Sequence, residues 1–385
     1  MTKQDQTSHS DLTMTPKTPQ SSAKFRFPST QMLRRLVPRA FDRVVPILKV
    51  LPLFALGGCS AVQMINSISK IHGGTVQENI AFDTNPRLTM DLYLPEQPNP
   101  ESTAKTPVVV FFYGGSWNRG EKSEYEFVGR RLASMGYITA IPNYRVYPEV
   151  KYPQFLEDGA KASAKVLQLL ATAEYQPYRP DSRLIMMGHS AGAYNAAMLA
   201  MDDRWLGQQN LNRQTTIKGL IGLAGAYNIY PICVEEVRPV FDHPNYPAHS
   251  QPIDYVATSN VPTLLLTPES DELVSTKRNS LSLHQALLQN KTPSKVVAIK
   301  GTDHITVLGT LSPVLFFKGD SLGPIQKFVQ ELPLQSTPRQ APTGASGADQ
   351  HSSKTLHDLT YDLNKLPNVE GTISDTHKPI PICKP

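Results

Sequence analysis

The feature that most constrains the fold is a serine between two glycines, at the point where a segment that favours a strand meets a segment that favours a helix. The apolar run from Leu184 to Met187 is typical of a buried strand, and the alanine-rich run after Gly192 favours a helix. Glycine has no Cβ, so Gly188 and Gly192 allow the strand and the helix to approach closely. The pattern therefore predicts a sharp strand-to-helix turn with Ser190 exposed at its corner.

The five residues of this turn, GHSAG, match the pattern G-x-S-x-G, in which a strained backbone presents a serine as a nucleophile. The helix that follows would point its free amides and positive dipole end toward negative charge on a substrate. A glycine turn without chemistry is the alternative. Because a serine hydroxyl is a weak nucleophile without a base, the chemical interpretation requires a histidine and an acid elsewhere in the chain.

Apolar runs alternate with helical patterns through most of the chain. TVQENIAFD and LTMDLYLPE alternate apolar and polar residues as in a half-buried antiparallel pair, whereas TPVVVFFY, RLIMM and VPTLLL each contain a continuous apolar run, as in buried strands. Helical patterns separate the later strands. This order predicts an α/β fold with a mostly parallel central sheet and helices on both faces.

The composition divides the chain into four regions. We expect a leader with a signal peptide at 1–58, a tether at 59–74, the folded domain at 75–333 and a disordered tail at 334–385, which is rich in Ser, Thr, Pro, Gly and Gln. Within the domain, 228–260 is rich in Pro, Tyr and His and has no clean period. We predict that this insertion forms a small lid over the carboxyl edge of the sheet.

His304 is the candidate base among the ten histidines. It follows the last apolar strand directly, which places it at the same sheet edge as Ser190. His189 should point away from its neighbour by strand alternation, and His284 should lie on a helix surface. The remaining histidines lie in the leader, the tether, the insertion or the tail.

Asp271 is the candidate acid that would orient the imidazole of His304. It follows the strand that precedes the strand of His304, in the segment SDELV. Rival carboxylates lie nearby, at Glu269, Glu272 and Asp303. The chain order Ser190, Asp271, His304 is the order expected when a nucleophilic serine sits on such a turn.

The segment FFYGGSW ends the first buried strand, where an acyl-transfer enzyme of this plan places its oxyanion loop. The backbone amides of Gly115, Ser116 and Ala191 would stabilise a developing oxyanion. A plain glycine turn is the alternative. Trp117 would either wall the acyl pocket or pack beneath the loop.

From about Thr75 to Leu332 the chain resembles an α/β-hydrolase of the esterase/lipase group, near the kynurenine-formamidase-like and small-ester carboxylesterases. The matching segments are YGGSW, NYR, EDGAKA, GHSAG, SDELV and GTDH. The resemblance implies hydrolysis of a small-molecule carboxylic ester through an acyl-serine, without a cofactor or metal. An amidase or peptidase on the same fold, and an inactive hydrolase-fold binding lipoprotein, remain open.

One position departs from the pattern of this family. Tyr113 stands before the two glycines, where the family usually has a histidine that braces the oxyanion loop. We place Tyr113 with Trp117 in the substrate pocket, where its phenol can also form a hydrogen bond. Arg145, in the segment NYR, would be either a structural brace or a substrate ligand.

The positive charge of the chain belongs to its first part. Nine of the 38 basic residues and three of the 33 acidic residues lie in 1–58, so 29 basic and 30 acidic residues follow. The balanced charge of the body gives no reason to expect nucleic acid as a partner. From Met32, an alternative start, four arginines and an apolar stretch lead to LGGC, which resembles the lipobox of bacterial lipoproteins.

The lipobox resemblance implies cleavage before Cys59 and lipid attachment to this cysteine. The protein would then be anchored to a membrane of the bacterial cell envelope, facing the periplasm, with the outer membrane as the expected site. A transmembrane anchor and a chance cysteine are the alternatives. Cys233 and Cys383 would remain, either as a disulfide or as two free thiols.

Overall fold

A mostly parallel sheet forms the centre of the protein in the computed structural model, which describes residues 61–70, 74–98, 104–333 and 369–370. Its spatial strand order is β1-β2-β4-β3-β5-β6-β7-β8-β9. β2 pairs antiparallel with β1 and β4, and the other pairs are parallel. The strands are β1 Thr75–Ala81, β2 Thr89–Leu94, β3 Thr106–Phe112, β4 Ile138–Pro142, β5 Pro180–His189, β6 Ile217–Leu223, β7 Thr263–Pro268, β8 Ser294–Ile299 and β9 Val369–Glu370.

Helices connect and cover these strands, which agrees with the predicted α/β class. They are α1 Ala61–Ser69, α2 Glu126–Ser134, α3 Gln154–Leu170, α4 Ala191–Met201, α5 Asp203–Gly207, α6 Arg213–Thr216, α7 Ser282–Gln289, α8 Thr306–Gly309 and α9 Leu322–Glu331. A π-helical turn, Lys277–Leu281, leads into α7, and 3₁₀ turns cover Lys122–Tyr125, Ala173–Tyr178, Glu235–Phe241, Pro252–Thr258 and Phe316–Lys318.

The central strands are covered on both faces. Successive side chains of a strand point to opposite faces of the sheet, and every residue of β4, β6 and β7 is buried. The edge strand β1, in contrast, has only exposed and partly buried positions. The central strands are apolar at consecutive positions because neither face of the sheet meets water, as we predicted from the sequence.

Residues 61–69, which we predicted as part of a tether, instead form a helix packed on the domain. The amide of Asn66 donates to the carbonyl of Ser123 over 2.7 Å, and its oxygen accepts from the backbone N–H of Phe127 over 3.1 Å. Phe127 lies in the first turn of α2, whose amides have no partner within the helix. Asn66 therefore satisfies a helix terminus, a long-range contact that local sequence does not reveal.

Two residues of the predicted disordered tail also have regular structure. Val369–Glu370 pairs parallel with β8, and the carboxylate of Glu370 lies 2.6 Å from the ammonium of Lys295. The rest of 334–385 lies outside the described residues, as do the whole leader, Cys59 and Cys383. Cys233 is disulfide-bonded. Within the residues described, no helix is long and apolar enough to cross a membrane.

The insertion at 228–260 packs on the domain through two 3₁₀ turns. The ring of Phe241, fully buried, meets the ring of Trp117 edge-on at a centroid distance of 5.0 Å. The side-chain oxygen of Gln251 accepts from the backbone N–H groups of Ile229 and Tyr230. These contacts order a segment that has little regular secondary structure of its own.

A buried ion pair joins the segment that follows β4 to α3. Asp158 is fully buried and accepts from Nε and Nη2 of Arg145 over 2.9 and 2.7 Å, and from the Arg145 backbone N–H over 3.0 Å. The neighbouring carboxylate raises the pKa of Arg145 further above its ordinary value. Arg145 is thus a structural brace, one of the two roles that the sequence left open.

We expect Asp158→Ala to lower the free energy of unfolding by about 3 kcal/mol, because it leaves the Arg145 guanidinium without its buried partner. Urea denaturation would measure this change. As a control, Lys151→Ala removes one member of the solvent-exposed pair Lys151–Asp242, and this variant should unfold like the wild type. Equal losses in both variants would contradict a special role for the buried pair.

Candidate active site

The strand-to-helix turn expected from the sequence is present, with Ser190 between β5 and α4. Its backbone is strained, at φ 55° and ψ −123°. A Cβ on Gly188 would overlap the carbonyl oxygen of Gly192, and one on Gly192 would overlap the carbonyl oxygen of Phe112. Only glycines permit β3, β5 and α4 to approach this closely.

Ser190, His304 and Asp271 form a continuous chain of hydrogen bonds. Nε2 of His304 lies 2.9 Å from Oγ of Ser190, and Nδ1 of His304 lies 2.8 Å from Oδ2 of Asp271. The other oxygen of Asp271 accepts from the backbone N–H groups of Leu273 and Val274 over 2.9 and 2.8 Å. Both carboxylate oxygens are therefore engaged, which fixes the orientation of the acid.

Two of the rival carboxylates hold loop backbones instead. Asp303 accepts from the N–H groups of Ile305 and Thr306 over 3.0 and 2.8 Å. Glu269 accepts from the N–H of Gly301 over 2.8 Å. Neither carboxylate forms a described hydrogen bond with the imidazole of His304, so the structure favours Asp271 as its partner.

His189 contributes to the site in a way that the sequence did not reveal. It lines the cavity that contains Ser190, and its buried Nε2 donates to the carbonyl oxygen of His304 over 2.8 Å. The centroids of the two imidazole rings are 5.1 Å apart. Burial, with a smaller effect of His304, lowers the pKa of His189 to about 3, so it is neutral near pH 7.

His284 is fully buried, and its Nδ1 lies 2.9 Å from Oγ of Ser294. The expectation that His284 lies on a helix surface was wrong, because its face of α7 packs toward β8. His284 does not line the cavity around Ser190.

The loop after β3 adopts an unusual backbone. Gly115, Ser116 and Trp117 have φ values of 128°, 53° and 55°, and the carbonyl of Gly115 accepts from the N–H groups of Asn118 and Arg119. No hydrogen bond within the described residues uses the N–H groups of Gly115, Ser116 or Ala191. All three residues line the cavity that contains Ser190. Their amides are available there for a ligand, as the oxyanion prediction requires.

Tyr113 lies beneath this loop and not in the substrate pocket, so its predicted pocket role was wrong. Its side chain is fully buried and stacks between the rings of Tyr125 and Tyr144, at centroid distances of 5.3 and 4.6 Å. The hydroxyl donates to Oδ1 of Asn143 over 3.1 Å. Burial raises its pKa, which keeps the hydroxyl protonated as a donor. Tyr113 thus supports the end of β3 from below.

Trp117 lines the cavity and also packs into the core, so it combines the two roles that the sequence left open. Its Nε1 donates to Oδ1 of Asn195 over 3.0 Å. Its ring meets the ring of Tyr194 edge-on at 5.1 Å, in addition to Phe241. The tryptophan therefore ties the loop after β3 to both α4 and the insertion.

The cavity around Ser190 has a volume of about 440 Å³. The insertion contributes apolar side chains to its wall, including Ile229, Ile232 and Val237. Leu273 and Ile305 line the cavity and are also exposed, so they mark its opening. The described residues contain no cluster of His, Cys, Asp or Glu that could hold a metal ion.

An ion pair connects the insertion to the loop after β3. The carboxylate of Glu236 lies 3.1 Å from Nη2 of Arg119, and both side chains are largely exposed. Hydrogen bonds from Arg119, together with Ser116 and Asn118, lower the pKa of Glu236. The insertion thus touches the loop that carries the candidate oxyanion amides.

Residues 90–287 match the model of the BD-FAE family, which covers just over half of the chain. The chain belongs to the BD-FAE family. The mostly parallel sheet of this chain matches solved structures of esterases, so the α/β-hydrolase fold predicted from the sequence is confirmed.

Similar curated proteins carry esterase and amidase names. A probable isoprenylcysteine alpha-carbonyl methylesterase of Oryza sativa subsp. japonica is 32% identical over 157 residues, which cover 40% of this chain and 36% of that protein. Kynurenine formamidase of Danio rerio is 29% identical over 143 residues, which cover 37% of this chain and 43% of that protein. The chain thus spans less than half the length of these relatives.

Solved structures of esterases share the fold. A truncated carbohydrate esterase from gut microbiota is 15% identical, with a TM-score of 0.52, and covers 68% of this chain and 97% of its own. The apo form of Thermogutta terrifontis esterase 2 is 20% identical, with a TM-score of 0.51, and covers 67% of this chain and 91% of its own. At these identities the similarity concerns the fold alone.

The pKa of His189 predicts a dependence of stability on pH. The unfolded chain protonates His189 below pH 6.5, but the folded protein resists protonation down to about pH 3. The free energy of unfolding should therefore fall as the pH drops through this window, by about 2 kcal/mol between pH 7 and pH 5. In His189→Gln, whose amide can still donate to His304, this part of the loss should be absent.

Urea denaturation at the two pH values would measure the difference. His243→Gln, which removes an exposed histidine of the insertion, should keep the wild-type dependence. An unchanged pH slope in His189→Gln would show that His189 is not held neutral.

Proposed function

We propose that the protein is a serine hydrolase that cleaves carboxylic esters through an acyl-serine intermediate. The observation that carries this proposal is the hydrogen-bonded chain from Oγ of Ser190 through His304 to Asp271, at the wall of a cavity large enough for a small ester. Serine, histidine and acid in this geometry perform acyl transfer on several unrelated folds.

The proposed reaction begins with attack of Ser190 Oγ on the acyl carbon, as Nε2 of His304 accepts the hydroxyl proton. The N–H groups of Gly115, Ser116 and Ala191 then stabilise the negative charge on the former carbonyl oxygen. His304 returns its proton to the leaving alkoxide, and an alcohol departs. Water, deprotonated by the same histidine, releases the acid and regenerates Ser190.

Asp271 and His189 set the protonation and the orientation of His304 in this proposed reaction. A carboxylate at Nδ1 keeps the proton there, so Nε2 presents its lone pair to Ser190, and the negative charge stabilises the imidazolium that forms. His189 donates to the backbone carbonyl of the same residue and carries no charge near pH 7. A second cation beside His304 would oppose proton transfer from the serine.

The relatives support ester hydrolysis, since several are named esterases and the solved structures of similar fold are esterases. The similarity to kynurenine formamidases favours a second candidate, hydrolysis of an amide at the same serine. Turnover of an aryl ester and of the matching aryl amide would rank the two reactions.

Labelling with a fluorophosphonate probe tests the proposal directly. We expect the wild type to be labelled, and Ser190→Ala and His304→Gln to lose the label and at least about 10⁴-fold in kcat/KM on aryl esters. Ser134→Ala and His243→Gln, which alter an exposed serine and an exposed histidine, serve as controls and should behave like the wild type.

Two results would overturn the assignment. One is labelling of Ser190→Ala, or a loss of kcat/KM in this variant that is much smaller than about 10⁴-fold. The other is a folded wild type that the probe does not label, which would favour a binding protein on a hydrolase fold.

We infer from the sequence that Cys59 carries a lipid that anchors the protein to the bacterial cell envelope, facing the periplasm. The support is the LGGC segment after an arginine-rich and then apolar stretch. In cells fed radioactive palmitate, the wild type should be labelled and sediment with membranes. Cys59→Ala should lose both properties, whereas the neighbouring Ser60→Ala should keep them; a labelled, membrane-bound Cys59→Ala would refute the anchor.

A further inference from the structure

Two arginines line the cavity around Ser190, and they differ in their partners. Arg119 forms the exposed ion pair with Glu236. Arg278, in the π-helical turn Lys277–Leu281, forms no ion pair with any carboxylate in the described part of the chain. Its one described side-chain hydrogen bond is long, from Nη1 to the carbonyl of Pro231 over 3.4 Å.

The nitrogens of Arg278 that remain unpartnered are Nε and Nη2, which are shielded from solvent and meet no acceptor among the described residues. These two nitrogens form the fork that binds a carboxylate side-on with parallel hydrogen bonds. The protein uses the same fork elsewhere: Nε and Nη2 of Arg145 hold Asp158, and those of Arg204 hold Asp202. At Arg278 neither nitrogen of the fork has a carboxylate partner among the described residues.

The surroundings of Arg278 disfavour the charged form of its guanidinium. Burial lowers the pKa of its guanidinium, and among the described residues the phenol of Tyr246, which is uncharged near pH 7, is the one group that acts in the opposite direction. The acidic residues that line the cavity do not compensate, since Glu236 is engaged by Arg119 and Glu124 is exposed. A partly buried cation that has no carboxylate partner is a state that an anionic ligand would stabilise.

The backbone that carries Arg278 is firmly held. The next residue, Asn279, accepts from the backbone N–H groups of Tyr227 and Asn228 over 2.8 and 2.9 Å, where the insertion begins. Its amide nitrogen donates to the carbonyl of Ser275 over 3.0 Å. Single π-helical turns of this kind often occur at functional sites. The arginine thus projects from a fixed point beside the cavity.

We propose that Arg278 binds a free carboxylate of the substrate, so that the site prefers esters that carry an anionic carboxylate besides the scissile bond. This inference rests on the proposed esterase function of Ser190. The last torsions of the arginine side chain turn the fork toward the carboxylate, and the apolar wall of the insertion accommodates the carbon chain between the two groups. Arg278 then determines specificity and takes no part in proton transfer.

Matched substrates test this preference. Mono(4-nitrophenyl) glutarate carries the carboxylate, and methyl 4-nitrophenyl glutarate has the same chain without the charge. We expect Arg278→Gln to lower kcat/KM for the anionic ester by about 10- to 100-fold and to leave the neutral ester nearly unchanged. Arg278→Lys should recover part of the loss, because an ammonium keeps the charge without the fork.

The matched control is Lys277→Gln, which removes the positive charge of the residue immediately before Arg278. Lys277 is exposed and does not line the cavity. It should leave the ratio of the two kcat/KM values at the wild-type level. A ratio that is the same in the wild type and Arg278→Gln would overturn the proposal, as would equal losses in Arg278→Gln and Lys277→Gln.

A binding measurement separates this inference from the esterase function. Calorimetric titration of the Ser190→Ala protein with monomethyl glutarate would give a dissociation constant for the anionic ester. Adding Arg278→Gln to this protein should raise the dissociation constant about 10-fold or more, whereas adding Lys277→Gln should leave it unchanged. Equal affinity in the three proteins would refute the carboxylate site. If the wild type hydrolysed neither aryl ester, the proposed function would fail, and this titration would still decide the role of Arg278.

Discussion

The site depends on the contact of three backbones at Gly188 and Gly192. Because neither residue has a side chain, the start of α4 lies directly against the ends of β3 and β5. This contact sets the position of Ser190 relative to the loop after β3. Gly114 continues the same packing, since a Cβ there would lie 3.1 Å from the Cβ of Ser190. The nucleophile and the candidate oxyanion amides are thereby fixed to one rigid junction.

The base and the acid reach this junction from neighbouring parallel strands. β7 and β8 end at the same sheet edge as β5, so the loops that follow them bring Asp271 and His304 to Ser190. Each group is held by contacts of its own. Two backbone N–H groups orient the carboxylate of Asp271, and His189 donates a hydrogen bond to the backbone carbonyl of His304. The array is therefore positioned before a substrate binds, as catalysis by preorganised groups requires.

Aromatic packing connects this array to the walls of the cavity. Trp117 follows the candidate oxyanion residues and contacts both α4 and the insertion, through Tyr194 and Phe241. Tyr113 supports the same loop from beneath, in a stack of three tyrosines. A change in the insertion would therefore be transmitted to the loop by direct side-chain contact. The wall of the cavity and its candidate oxyanion amides form one packed unit.

Local pattern was sufficient for those features that depend on chain order and backbone sterics. The apolar runs gave the parallel sheet, and the glycine spacing gave the turn at Ser190. Strand ends gave the positions of Asp271 and His304, because residues that follow parallel strands must share an edge. Each of these inferences needs only the covalent order of the chain and the shape of a residue, and both are present in the sequence.

Tertiary packing decided the features for which one residue type is compatible with several environments. A tyrosine before two glycines can wall a pocket or brace a loop, and only the rings of Tyr125 and Tyr144 place Tyr113 in the core. A mid-helix histidine can face water or a strand, and Ser294 shows which face His284 occupies. The fork of Arg278, which has no acceptor among the described residues, is of the same kind, because its surroundings are defined only when the chain is folded.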